Sequence, residues 1–270
     1  MKTILLAGCG NMGFAMLKGW LDKGACLPDD VMVVEPNDAL RGRAASLGVK
    51  VATVSNAFAQ QSVDLVMIAL KPQMLEAALP EYKAYTDHGA TLITVAAGAP
   101  IALYNRILGG HVPVIRTMPN TPAAIGAGMI GMYANGFVSK EAKAFATILL
   151  NANGVVDELS DEAMIDVVTA VSGSGPAYLF YFIECMASAA EAAGMGKEQA
   201  MIYARQTVFG AAKLAEQATE DAAQLRVNVT SPKGTTYAAL QVLMGDKRLE
   251  TLMKEAVAAA KARAEELGRG

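Results

Sequence analysis

Six apolar runs, TILLA, VMVVE, DLVMIAL, TLITVAA, VPVIRTM and AGMIGMY, alternate with helical patterns over the first 160 residues. Strands separated by helices pair in parallel and are covered on both faces, so they read as continuous branched-apolar segments rather than alternating ones. The stretch NMGFAMLKGWLDKG supplies the first crossover helix, with Gly24 as its stop. Beyond residue 160 the strand signal ends. EAMIDVVTAV, AYLFYFIECMASAAEAAG, KEQAMIYARQTVFGAAKLAEQA, TYAALQVLM and LETLMKEAVAAAKARAEEL place apolar residues at helical spacing, interrupted by the breakers SGSGP (172–176) and TSPKG (230–234). The chain is therefore expected to be α/β, with an N-terminal Rossmann domain over 1–160 and a C-terminal all-helical domain over 161–270. The helical half is so apolar that its expected partner is a second copy of the chain.

Composition narrows the ligand. The 270 residues are 53% hydrophobic, yet no uninterrupted apolar run approaches the roughly 18 residues of a membrane span. A net charge of −3 without long basic or acidic runs leaves no footprint for nucleic acid or an anionic membrane. Cys9, Cys26 and Cys185 are odd in number and widely spaced, which argues against a disulfide framework and against a metal site. The opening MKTILLAG reads as a strand rather than a targeting segment, and the expected compartment is the cytoplasm.

The segment GCGNMG, residues 8–13, lies between the first strand and the first helix. In a dinucleotide-binding turn Gly8 allows the bend, Gly10 lets backbone approach a pyrophosphate, and Gly13 lets helix pack on strand. Asn11 and Met12 open the helix whose free N–H groups would face the phosphates. The second strand ends at Glu35, about twenty residues on. An acid there usually bonds the ribose hydroxyls of NAD and repels the extra phosphate of NADP. Asn37, Arg41, Arg43 and Asn56 share that rim and suit a 2′-phosphate, although Arg41 and Arg43 read equally as solvated charges on the next helix, so the residues leave NADH and NADPH both open.

ALKPQ (69–73) and VAAGAP (95–100) follow the next two strong strands, where doubly wound sheets bind ligands. Lys71, ahead of Pro72, reads either as a crevice residue or as a surface lysine. Ala96, Ala97 and Gly98 are small enough for a flat nicotinamide ring to lie against backbone. His88 in TDHGA and His111 in GGHVP sit in loops and read as surface residues.

GCGNMG, ALKPQ, VAAG, RTMPNTP (116–122), VSGSGPAY (171–178) and NVTSPKGTT (228–236), in this order along the whole chain, resemble the pyrroline-5-carboxylate reductases. The resemblance implies reduction of L-1-pyrroline-5-carboxylate to L-proline, the last step of proline biosynthesis, with NADPH and sometimes NADH. It also implies a helical domain that dimerises, with larger rings up to decamers. By position, Gly8 to Gly13 would hold the pyrophosphate, and Asn37 and Asn56 the adenosine ribose end. Ala69, Leu70, Lys71, Pro72 and Ala97 would border the nicotinamide. The substrate loop would run from Asn228 through Ser231, Gly234 and Thr235 to Thr236, the hydroxyl expected near the ring nitrogen. Glu162 matches an acidic position near the substrate.

Two residues depart from the family pattern: Lys233, which makes SPKG of SPGG, and Glu35, which bears on the NADPH preference. Backbone N–H groups between Pro232 and Thr236 can hold a carboxylate at a helix start, and Ser231 is the expected cap of that helix. SGSGP reads as a helix crossing at a dimer interface or as a substrate contact. The related β-hydroxyacid dehydrogenases would call for a lysine and a downstream asparagine on the helix after SGSGP, and AYLFYFIECMASAA has neither. A nucleotide sensor without turnover would not need NVTSPKGTT.

Overall fold

The computed structural model describes residues 2–269. The strands β1 (Ile4–Ala7), β2 (Val31–Val34), β3 (Lys50–Ala52), β4 (Leu65–Ile68), β5 (Thr91–Thr94), β6 (Val114–Met118), β7 (Gly128–Ala134) and β8 (Gly154–Glu158) form one sheet in the order β3-β2-β1-β4-β5-β6-β7-β8. All neighbours are parallel except β6 and β7. Helices α1 (Asn11–Asp22), α2 (Asp38–Ala45), α3 (Leu75–Ala78), α4 (Lys83–Asp87), α5 (Ile101–Leu108), α6 (Lys140–Asn151) and α7 (Met164–Val168) accompany the sheet. After them come α8 (Gly175–Ala192), α9 (Lys197–Gln217), α10 (Ala222–Asn228), α11 (Thr235–Met244) and α12 (Arg248–Arg269). The fold is α/β, a Rossmann-like sheet followed by an all-helical C-terminal region.

β1, β2, β4 and β5 are buried along their whole length. Alternation along β1 divides its side chains between two cores. Ile4 and Leu6 join Met16, Leu17 and Trp20 of α1 and Leu149 and Leu150 of α6. Leu5 and Ala7 join Leu75 of α3, Tyr85 of α4 and Tyr104 and Leu108 of α5 on the other face. Each fully buried Leu or Ile stabilises the sheet by about 1.5–3 kcal/mol. This two-sided burial is what the apolar runs encode.

β3 and β8 stand outside the six expected strands. They are the two edges of the sheet, short and half exposed, so KVA and GVVDE lack the apolar run of a buried strand. By packing, the chain divides into residues 1–174 with 260–270, and residues 175–259, so position 160 lies inside the first unit. The reason is α7, which packs on β6 and β7 beside Gly131. In the second unit α8 and α9 pack together through Ala187, Ala200 and Ala204. Among the described residues, no helix is long and apolar enough to cross a membrane.

Candidate functional site

The strand order reverses direction between β1 and β4, so the carboxyl ends of these strands border the crevice in which doubly wound sheets bind ligands. Gly8 leaves β1 at φ +87, and a Cβ on it would stand 2.8 Å from the Ala69 carbonyl oxygen. A Cβ on Gly13 would stand 2.3 Å from the Gly8 carbonyl oxygen. Around Gly10, by contrast, a Cβ would meet no heavy atom within 4 Å, and this glycine is the N-cap of α1 without any side-chain cap. Two glycines are thus required by packing, while the third leaves an open face over uncapped helix amides. That combination fits a dinucleotide diphosphate.

Glu35 is buried, and its carboxylate is committed to backbone: Oε2 accepts from the Cys9 N–H at 2.8 Å and Oε1 from the Asn37 N–H at 2.9 Å. Arg43 grips the same turn from the other side. Its Nη2 donates to the Cys9 and Gly10 carbonyls at 3.0 and 3.2 Å, and its guanidinium lies 4.0 Å from the centre of the Phe14 ring. Burial pushes the Cys9 thiol up to about 11, with Arg43 opposing and Glu35 adding to the shift, so this cysteine is a packed thiol rather than a nucleophile. Asn37 caps α2 through Oδ1, 3.1 Å from the Leu40 nitrogen. Arg41 turns back onto the Glu35 and Pro36 carbonyls and onto Asp38. Asn56 lines a surface pocket of about 850 Å³ with Glu81, Tyr85 and His88, to which no residue of the glycine turn contributes.

Ala69 and Leu70 are half-buried after β4, whereas Lys71 and Pro72 are exposed. The loop 95–100 after β5 is tied down more firmly. Thr94 Oγ1 lies 2.5 Å from the Tyr104 hydroxyl and accepts from the Ala96 N–H at 3.2 Å, and the Thr117 hydroxyl donates to the Thr94 carbonyl at 2.8 Å. Burial raises the Tyr104 phenol to about 12, so it stays protonated. Gly98, at φ +67, lies under Leu267, whose Cβ would be 2.7 Å from a Cβ on Gly98.

Glu162, expected beside the substrate, has its Oε1 engaged by the Ile101 N–H at 2.8 Å and by Arg116 Nη1 at 3.0 Å. Asp166 Oδ1 accepts from Arg116 Nη2 at 3.1 Å. Arg116, in RTMPNTP, is a partner of Glu162 that DEAMID itself does not reveal. The signal was present, because one arginine inside the apolar run VPVIRTM demands a buried counter-charge.

The loop 228–236 belongs to the second unit. Asn228 ends α10 and accepts from Gln224 Nε2 at 2.8 Å. Lys233 occupies the left-handed region at φ 58, which delays the helix so that Gly234, not Ser231, is the N-cap of α11. Ser231 instead accepts through its carbonyl from the Gly234 N–H at 3.0 Å. No side chain caps α11, so its first amides are available to an anion, with Thr235 exposed and Thr236 half-buried beside them. His88 and His111 are both exposed.

Residues 162–267 match the family model described as pyrroline-5-carboxylate reductase dimerisation, and residues 3–98 match that described as NADP oxidoreductase coenzyme F420-dependent. A pyrroline-5-carboxylate reductase of Pseudomonas aeruginosa is 37% identical over 98% of this chain and 96% of its own. The solved pyrroline-5-carboxylate reductase of Coxiella burnetii is 34% identical, with a TM-score of 0.92 over 98% of each chain. A Plasmodium falciparum pyrroline carboxylate reductase solved with NADP bound shares the fold, with a TM-score of 0.84 at 24% identity, covering 99% of this chain and 98% of that one.

Proposed function

The chain belongs to the pyrroline-5-carboxylate reductase family, and from that premise we propose that it reduces L-1-pyrroline-5-carboxylate to L-proline, the last step of proline biosynthesis. The observation that carries this reading is that the whole chain, not the nucleotide-binding part alone, matches reductases of that name. The hydride donor is NADPH, with NADH as an alternative.

In this reading Gly8, Gly10, Asn11, Met12 and Gly13 hold the diphosphate at the start of α1, and Glu35, Asn37 and Asn56 serve the adenosine end. Ala69, Leu70, Lys71, Pro72 and Ala97 border the nicotinamide. A nicotinamide cofactor held there would supply hydride to the carbon of the C=N bond. The uncapped amides that open α11 hold the substrate carboxylate, together with Asn228, Ser231, Gly234 and Thr235. Thr236 hydrogen-bonds the ring nitrogen, and the imine takes up hydride in its protonated, iminium form, so that the addition gives the secondary amine without a further proton donor. Neither histidine is needed, because an imine accepts hydride without a strong base. The chief contribution of the protein is to orient the two reactants, worth about 7 kcal/mol or more in well-aligned systems. The working form is a homodimer joined through the helical region, in the cytoplasm, whose reducing conditions suit three unpaired cysteines.

NADPH carrying deuterium at the transferable position of its nicotinamide should place one deuterium on proline C5. Unlabelled proline, or none, would remove the assignment.

A further inference from the structure

We propose that Glu162 is a positioning residue which, held by Arg116, fixes the loop 95–100 on the nicotinamide side of the cofactor site. The inference rests on the cofactor reading above. Arg116 projects from the middle of β6 and is 4% exposed, so its charge must be matched by partners inside the fold. Glu162 and Asp166 supply them, each taking one end of the guanidinium. The same Oε1 of Glu162 also accepts from the N–H of Ile101, the first residue of α5.

That amide needs an outside acceptor. α5 begins after Pro100, which offers no side-chain cap, and Ile101 is buried, so water does not reach it freely. A carboxylate there satisfies an orphan donor and suits the positive end of the helix. Oε1 of Glu162 carries both bonds, so turning that oxygen toward a ligand would leave the Ile101 N–H unpaired and take away one of the two carboxylates that hold Arg116, whose Nε already has no partner. The other end of the loop is held by Thr94 and Tyr104, and its middle by Leu267 over Gly98. Glu162 completes a three-point attachment of a loop whose small residues border the ring.

Calorimetric titration with NADPH and with adenosine 2′,5′-bisphosphate, which lacks the nicotinamide half, separates the possible roles. In Glu162→Ala, NADPH binding should weaken about tenfold while the fragment binds as before. kcat should fall and KM for the imine should hold. Glu162→Gln keeps an acceptor for Ile101 and should fall between. Should Glu162→Ala fail to fold, Glu162→Gln alone carries the test, with a smaller loss of NADPH affinity and the fragment binding as before. A raised KM for the imine with NADPH affinity intact would make Glu162 a substrate ligand and overturn the proposal. Equal weakening of NADPH and the fragment would overturn it too, as general damage. If the unaltered protein reduces no imine yet the calorimetric split holds, the substrate reading falls and this one stands.

Discussion

At the scale of single residues, the motif GCGNMG marks the turn between β1 and α1, but the partners that shape it lie far along the chain. Glu35 stands at the strand end that usually offers its acid to the ribose, the adenosine-end role proposed for it above. Here both carboxylate oxygens serve the Cys9 and Asn37 amides. Glu35→Gln can accept one of those N–H groups but sets an amide donor against the other. It should therefore weaken NADPH and NADH by a similar factor in fluorescence titrations, and a selective gain for NADPH would show the acid facing the 2′ position. Lys233 holds a left-handed backbone, which costs a non-glycine residue roughly 1–2 kcal/mol. Lys233→Gly should raise stability in urea by up to about 1 kcal/mol, the looser unfolded chain offsetting the rest. Cys9 and Cys26 carry thiols raised by burial to about 11. The unfolded chain ionises them first, so their stabilising contribution is full below the ordinary thiol pKa of 9.0 and is lost as pH climbs toward 11. The urea midpoint should drop over that window, and less so in the double serine variant.

At the scale of elements, what the sequence made legible was what burial on two faces writes into it. Six apolar runs each contain a strand, since parallel central strands leave no polar side. β3 and β8 were illegible for the converse reason: an edge strand needs only one covered face, and KVA and GVVDE carry lysine, aspartate and glutamate. α11 starts at the Gly234 cap rather than at the expected Ser231, because a lysine at positive φ breaks the usual link between serine and helix start. Glu162 illustrates the limit on site residues, since nothing local to DEAMID announces a helix amide and an arginine 61 and 46 positions away. Gly13→Ala would push a methyl to 2.3 Å from the Gly8 carbonyl oxygen. Displacing the turn by about 1 Å should lower kcat/KM on the order of a hundredfold. In the core, Leu6→Ala should cost about 2–5 kcal/mol by chemical denaturation, as the residue is fully buried at the centre of the sheet.

At the scale of the molecule, the helical region has little interior of its own. Phe180, Tyr181, Ile202, Phe209, Val242 and Leu252 are each more than half exposed. So much uncovered apolar surface marks an interface, in agreement with the dimerisation family that matches these residues. Replacing Phe180 and Phe209 together by aspartate should shift the sedimenting species to the monomer and abolish turnover, and an unchanged mass would place the interface elsewhere. An imine reductase that makes proline couples its two reactants one to one. The most direct measurement is the stoichiometry of the purified protein with L-1-pyrroline-5-carboxylate and NADPH. One L-proline should form for each NADPH oxidised, and NADPH left unconsumed, or consumed without proline appearing, would rule out a proline-forming reductase.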